Sequence, residues 1–367
     1  MLREFLMSSD EMIMTNHTAA NTTGAEDWTQ VYVVVSWIQL VMAVLSILGS
    51  GSIICCLMLR GLSRKPELQP LMLLSVADLL LAVCWLIGSI LFFKDCTSRS
   101  THCYYLHIVE QVFYMASFFY TLYYIWNLYK GIKEKYCSCM DGYSVQVSNR
   151  VSTAGKIVAL VSCLLPVLLM MPVIIEGNIS HCQANLTEPY RCLMMHTGAL
   201  FLMSDEQPMS RSCLYLHTYH ITVFLITVLV TLLSITVLVV KARCIYRRIV
   251  TSNGYLGSEQ RASFSVMDRR MVLYPLVFVF CWGPAVILAF LRVADPAACQ
   301  GKAGVVLYIL QALTSASQGF FNCLVYGWIR VYLRRARRTF SSRDADTQTP
   351  LLRAQKRRGY QTLQTLA

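Results

Sequence analysis

Long apolar runs alternate with polar stretches along this chain. Seven runs stand out, at about 31–59, 70–93, 104–129, 155–175, 214–240, 271–293 and 302–329. A helix rises ~1.5 Å per residue and needs roughly 20 apolar residues to cross the hydrocarbon layer, so each run suffices for one crossing. The pattern predicts an all-α membrane protein, a bundle of seven transmembrane helices. An odd count puts the two termini on opposite faces of the membrane. The connections are short except near 130–154, 176–213 and 241–270, and no internal repeat is visible.

Composition supports the membrane reading. Of 367 residues, 56% are hydrophobic and 14% charged, against about 25% charged in an ordinary soluble domain. The distribution of charge then sets the orientation. Twenty-five of the 32 lysines and arginines fall in the connections and tail that share a side with the C-terminus. Positive residues stay cytoplasmic, so the C-terminus is expected inside and the N-terminus outside. Four glycosylation sequons, at Asn16, Asn21, Asn178 and Asn185, all fall on the side this assigns to the exterior. The net charge of +12 is mostly a cytoplasmic collar facing anionic lipid, and nucleic acid is not an expected partner.

The chain divides accordingly. Residues 1–30 form a polar, glycosylated, disordered extracellular tail, 31–329 the membrane domain, and 341–367 a disordered cytoplasmic tail. Between them, 330–340 reads RVYLRRARRTF, where Val331, Leu333 and Phe340 make an apolar edge among arginines. That suits a short amphipathic helix on the inner membrane surface, the alternative being plain basic padding.

Chemistry concentrates in a few buried polar positions. Asp78 lies near mid-membrane in the second run, where a carboxylate is costly and needs a partner, a sodium ion or a proton. Gln318, Asn322 and Tyr326 repeat every four residues in the last run and share one helix face. A polar stripe must face the bundle interior, and Asp78 is the group for it to meet. In the sixth run, Pro284 frees a carbonyl and kinks its helix, with the bulky Trp282 beside it. No Ser-His-Asp or H-E-x-x-H pattern occurs, and every histidine falls on the exterior side or in outer helix turns, so no enzymatic centre is expected. His217 and His220, three apart, are a candidate zinc or pH-sensing pair, set against chance clustering.

Asp78 within LMLLSVADLLLA, Cys281-Trp282-x-Pro284, and Asn322 to Tyr326 together resemble the rhodopsin-type G-protein-coupled receptors. QGFFNCLVYG also looks like the seventh helix of cyclic-AMP-type and secretin-type receptors. The resemblance implies that Asp78 binds sodium, that Trp282 and Pro284 form a switch, and that Cys103 is disulfide-bonded to the loop after helix four, through Cys192 or Cys182. It also implies an extracellular ligand and a heterotrimeric G protein as partners. In amine receptors an acidic residue at the depth of Glu110, roughly 10 Å below the outer edge, pairs with a ligand cation. Here Glu110 would do so, with Tyr114 and Ser117 continuing its face, Trp282 as floor, and His217, His220, Tyr308 and Gln311 as walls. The alternative is Glu110 as a hydrogen-bonding link between helices.

The departures are specific. Helix three ends in Asn127-Leu128-Tyr129 instead of acidic-Arg-Tyr, Cys323 stands where proline is expected, and helix one has no asparagine. The chain is thus an outlying member, similar above all to a vertebrate orphan family, transmembrane protein 116. The expected function is an orphan signalling receptor at the plasma membrane. The alternatives are a channel or transporter, or a seven-span scaffold or trafficking protein.

Overall fold

A computed structural model describes residues 28–61, 68–93, 100–141, 153–182, 192–193, 211–251, 258–294 and 302–332. The expectations for Asn16, Asn21, Asn185, the segment 333–340 and the tail 341–367 lie outside the described residues, as does the N-tail up to residue 27. Among the described residues the chain is entirely helical: α1 (Trp28–Leu59), α2 (Gln69–Phe93), α3 (Ser100–Asp141), α4 (Thr153–Ile179), α5 (Arg211–Thr251), α6 (Ser258–Ala294), α7 (Lys302–Ser315) and α8 (Gln318–Tyr332).

The helices pack as one bundle whose inside and outside are reversed relative to a protein in water. Leu168, Leu233 and Phe290 are about two-thirds exposed, whereas Asp78 and Glu110 are each 2% exposed. A surrounding hydrocarbon solvent demands this arrangement. Five helices, α1, α2, α4, α5 and α6, contain stretches long and apolar enough to cross a membrane. The pair α7 and α8, bent by 51° at its break, makes up to six.

The 42-residue α3 is not in that count. It packs against α2, α4, α5 and α6, and Glu110, Gln111, Ser117 and Thr121 are all buried on it. A helix enclosed by other helices is not selected for contact with lipid and can carry polar side chains inward.

Helices α3, α5 and α6 run past their apolar limits. The expected 104–129, 214–240 and 271–293 become Ser100–Asp141, Arg211–Thr251 and Ser258–Ala294. Hydropathy marks only the part in lipid; beyond it, ordinary helix formers continue the coil. Lys130 and Glu134, one turn apart at 3.6 Å, are one such supporting pair.

Prolines 166 and 172 lie inside α4. Neighbouring tyrosines help to satisfy the carbonyls around the second. Tyr219 Oη donates to Leu169 O at 2.9 Å, and Tyr104 Oη donates to Val173 O at 2.8 Å. Asn178 lies in the last turn of α4, and its Oδ1 accepts from Tyr105 Oη at 2.8 Å.

One end of the bundle carries two disulfides, Cys103–Cys192 and Cys182–Cys213. Cys192 is therefore the partner of Cys103. The alternative, Cys182, instead ties the end of α4 to the start of α5, a bond that spacing alone could not assign. Replacing Cys182 and Cys213 together by serine is expected to cost about 2 kcal/mol, the lower part of the usual range, because membrane helices stay anchored when the bundle loosens. Thermal unfolding of the double variant against wild type measures it.

Near mid-bundle α1 and α8 touch backbone to backbone. A Cβ on Gly49 would lie 2.8 Å from both Gly319 O and Phe320 Cα. One on Gly319 would lie 2.1 Å from Ser50 Oγ and 2.9 Å from Ser46 O. Small residues permit such close helix contact in membranes. The opposite end of the bundle, called the arginine end below, holds a second apolar cluster around Leu128, Met271 and Ile329.

Candidate functional site

Asp78 on α2 is held by three neutral donors from two other helices. Ser117 Oγ on α3 donates to Oδ1 at 2.7 Å, Gln318 Nε2 on α8 donates to Oδ1 at 3.0 Å, and Asn322 Nδ2 donates to Oδ2 at 2.8 Å. Gln318 Nε2 also lies 2.8 Å from Ser117 Oγ. All four side chains are buried.

The break between α7 and α8 makes this possible. The first amides of a new helix lack intrahelical partners; here Gly319 N donates to Ser46 Oγ on α1 at 3.0 Å. Ser317 Oγ caps the preceding turn by donating to Thr314 O at 2.7 Å. The sharp bend in the bundle thus lies at Ala316 and Ser317, within the small-residue stretch that precedes Gln318. In α6, Pro275 and Pro284 both lie inside one continuous helix.

Trp282 joins the network from α6. Its Nε1–H donates to Gln318 Oε1. An indole nitrogen can only donate, so this contact fixes the orientation of the Gln318 amide: oxygen toward Trp282, N–H toward Asp78. The consequence bears on the expected sodium ion. Hard cations take oxygen ligands, yet the groups facing the carboxylate from α8 are amide N–H groups. As arranged, Asp78 is stabilised by hydrogen bonds donated from neutral groups.

Above the indole is an aromatic cage. Phe118 lies 4.6 Å from Trp282, edge to face, Tyr114 lies 5.5 Å away and Phe224 6.2 Å. Edge-to-face and offset contacts of this kind are the favoured arrangements of aromatic pairs and hold a large ring in place. Tyr114, Phe118 and Trp282 are almost fully buried.

Glu110 sits one turn from Tyr114 toward the disulfide end, with Oε2 3.8 Å from His107 Nδ1. Next to it, Gln111 Nε2 reaches the His220 carbonyl at 3.4 Å. The α3 face named from spacing is therefore continuous: Glu110, Tyr114 and Ser117 descend one side of the helix from its disulfide end to Asp78.

The remaining expected residues are spread differently. His220 meets α3 through its backbone carbonyl. His217 is partly buried on α5. Tyr308 packs in a separate cluster at the disulfide end with Tyr32, Leu193 and Leu288. Gln311 is buried one turn further along α7, with no hydrogen bond to either amide atom among the described residues.

Tyr326 does not reach Asp78, although the spacing puts it on the Gln318 face. It packs in the arginine-end cluster, with the Arg330 guanidinium 5.9 Å over its ring. Two further turns of helix carry it too far along the bundle. Ser46 and Gly319, which seat α8 against α1, and Phe118 and Phe224, which enclose the indole, carry no polar spacing signature in the sequence. Gly319, set between Gln318 and Phe320-Phe321, is the residue in that stretch small enough to mark a close contact.

A family model described as Transmembrane protein 116 matches residues 32–362. The chain belongs to this family. The match takes in all of the network and both disulfides, so the arrangement around Asp78 falls wholly within the transmembrane protein 116 region.

Proposed function

We propose that this member of the transmembrane protein 116 family is a seven-span signalling receptor of the G-protein-coupled type. In this reading α3 is the third crossing and α7 with α8 the bent seventh. The disulfide end faces outward with the N-terminus, and the arginine end meets cytoplasmic partners at the plasma membrane. The enclosed position of α3 explains how a crossing helix can be less apolar than the rest, and the basic connections support the orientation.

The observation that carries the reading is the unbroken path from Glu110 through Tyr114 and Trp282 to Gln318 and Asp78. A ligand entering at the disulfide end would meet Glu110 and Tyr114 first; a ligand cation suits the carboxylate. Moving Tyr114 moves the indole, and the indole holds Gln318. The ligand then favours whichever arrangement of α6 it binds more tightly. A heterotrimeric G protein is the partner proposed at the arginine end.

The test is a panel assay of G-protein activation with surface level measured in parallel. Wild type is expected to activate at least one G protein above vector background, and Trp282→Ala to lower that signal at least fivefold at matched surface level. Equal signals from the two, or none above background from wild type across the panel, would refute the reading.

A further inference from the structure

Three successive residues on α6, Asp268, Arg269 and Arg270, reach three different helices. Successive helix positions point about 100° apart, so three in a row span about 200° around the helix and can face several neighbours. Asp268 Oδ1 meets Arg243 Nε of α5 at 4.0 Å. The Arg269 guanidinium lies 4.1 Å over the Tyr332 ring and 5.4 Å from that of Trp328, both on α8. Those two rings stack on one another at 5.9 Å and 15°. Arg270 lies beside Tyr124 of α3. One turn further along the same face, Tyr274 packs its ring on Tyr124 at 4.7 Å, which places this side of α6 against α3 independently.

We propose that Asp268, Arg269 and Arg270 form a latch that holds the arginine end of α6 against α3, α5 and α8, and that opening this end requires its release. The contacts suit a latch. They lie at the helix end, where Arg269 and Trp328 are substantially exposed. Each is a modest, reversible attraction of the guanidinium–ring or ion-pair kind. They also differ in kind from what holds the other end of α6, where Leu288 and Ala289 are buried in apolar clusters. Between the two ends stands Trp282, eight residues or about 12 Å along the helix from Tyr274. A shift of the indole is therefore carried along one continuous helix, past Pro275, to the latch. The proposal rests on the two-state reading above only for its signalling consequence; the latch itself is measured without any partner.

Hydrogen exchange of the full-length protein in lipid nanodiscs, read by mass spectrometry, tests it. The variants are Arg269→Ala, Tyr332→Leu and Tyr332→Phe. Exchange in peptides covering 258–275 is expected to quicken on the order of tenfold in Arg269→Ala and Tyr332→Leu. Tyr332→Phe keeps the ring and is expected to stay within about twofold of wild type. Peptides around Cys103 and Trp282 should be unchanged in all three. Unchanged exchange at 258–275 in both Arg269→Ala and Tyr332→Leu would overturn the latch. So would equal loosening in Tyr332→Phe and Tyr332→Leu, or loosening throughout the bundle, since the contacts would then be general packing. Loss of G-protein activation with the exchange pattern as expected would count against the receptor reading and leave the latch standing.

Discussion

Replacing Gly49 by leucine is expected to destabilise the bundle by about 3 kcal/mol or more, the upper part of the cost of overpacking a closed interface. The reason is the identity of the atoms in the way. A Cβ on Gly49 meets Gly319 O and Phe320 Cα, each at 2.8 Å, and neither is a side-chain tip that can swing aside. The α1 and α8 backbones must part. That movement would also pull Ser46 Oγ from the Gly319 amide, a bond of 3.0 Å, and disturb the start of the helix that carries Gln318 and Asn322. Gly51, two residues on, has nothing within 4 Å of the added carbon, so Gly51→Leu should unfold at the wild-type temperature. Thermal unfolding of the three purified proteins, followed by loss of monodispersity, decides it. Equal unfolding temperatures for Gly49→Leu and wild type would show that the interface yields.

Gln318→Leu is expected to cost about 2–4 kcal/mol, from the loss of two buried hydrogen bonds, one of them to a carboxylate. Trp282 Nε1–H loses its bond to Gln318 Oε1, and Asp78 Oδ1 loses the donor at 3.0 Å. Ser117 and Asn322 remain on the carboxylate, so the charge is not stranded and the bundle should still assemble. The network makes a sharper statement about the double variant. Once Trp282 has become phenylalanine, there is no indole donor left to orphan. Adding Gln318→Leu to Trp282→Phe should therefore cost about 1 kcal/mol less than Gln318→Leu alone, which is the coupling expected of directly bonded partners. Strict additivity in the double-mutant cycle would mean that the two side chains do not share a bond.

The helical class of the fold and most of its helix positions were readable because lipid imposes a length and an apolarity on each crossing run. The same rule explains the main shortfall. Hydropathy records contact with lipid, so the buried α3, whose run at 104–129 is visible in the sequence, is less apolar than its neighbours because Glu110, Gln111, Ser117 and Thr121 turn inward. It also stops at the membrane surface, which is why α5 and α6 were drawn about three turns short.

In the candidate site, the meeting of Asp78 with Gln318 and Asn322 followed from two facts a sequence displays: a charge that needs partners, and a polar stripe at four-residue spacing. Tyr326 kept the spacing but not the neighbourhood. Helical phase gives direction around an axis and says nothing about which layer of the bundle a residue occupies. The bend at Ala316 and Ser317 and the pairing of Cys182 with Cys213 depend on how distant segments dock, and neither has a local signature strong enough to announce it.

The direction of the bonds at Gln318 has a further consequence. A carboxamide has one end that gives protons and one that takes them, and here the indole occupies the taking end and the carboxylate the other. Whatever lifts Trp282 away frees the amide to rotate by half a turn. Asp78 would then confront an oxygen in place of a hydrogen, with Ser117 and Asn322 left as its donors. A displacement of carbon atoms at the indole would thereby change the polarity of what faces the carboxylate in the middle of the bundle, with the amide as a two-position relay between them.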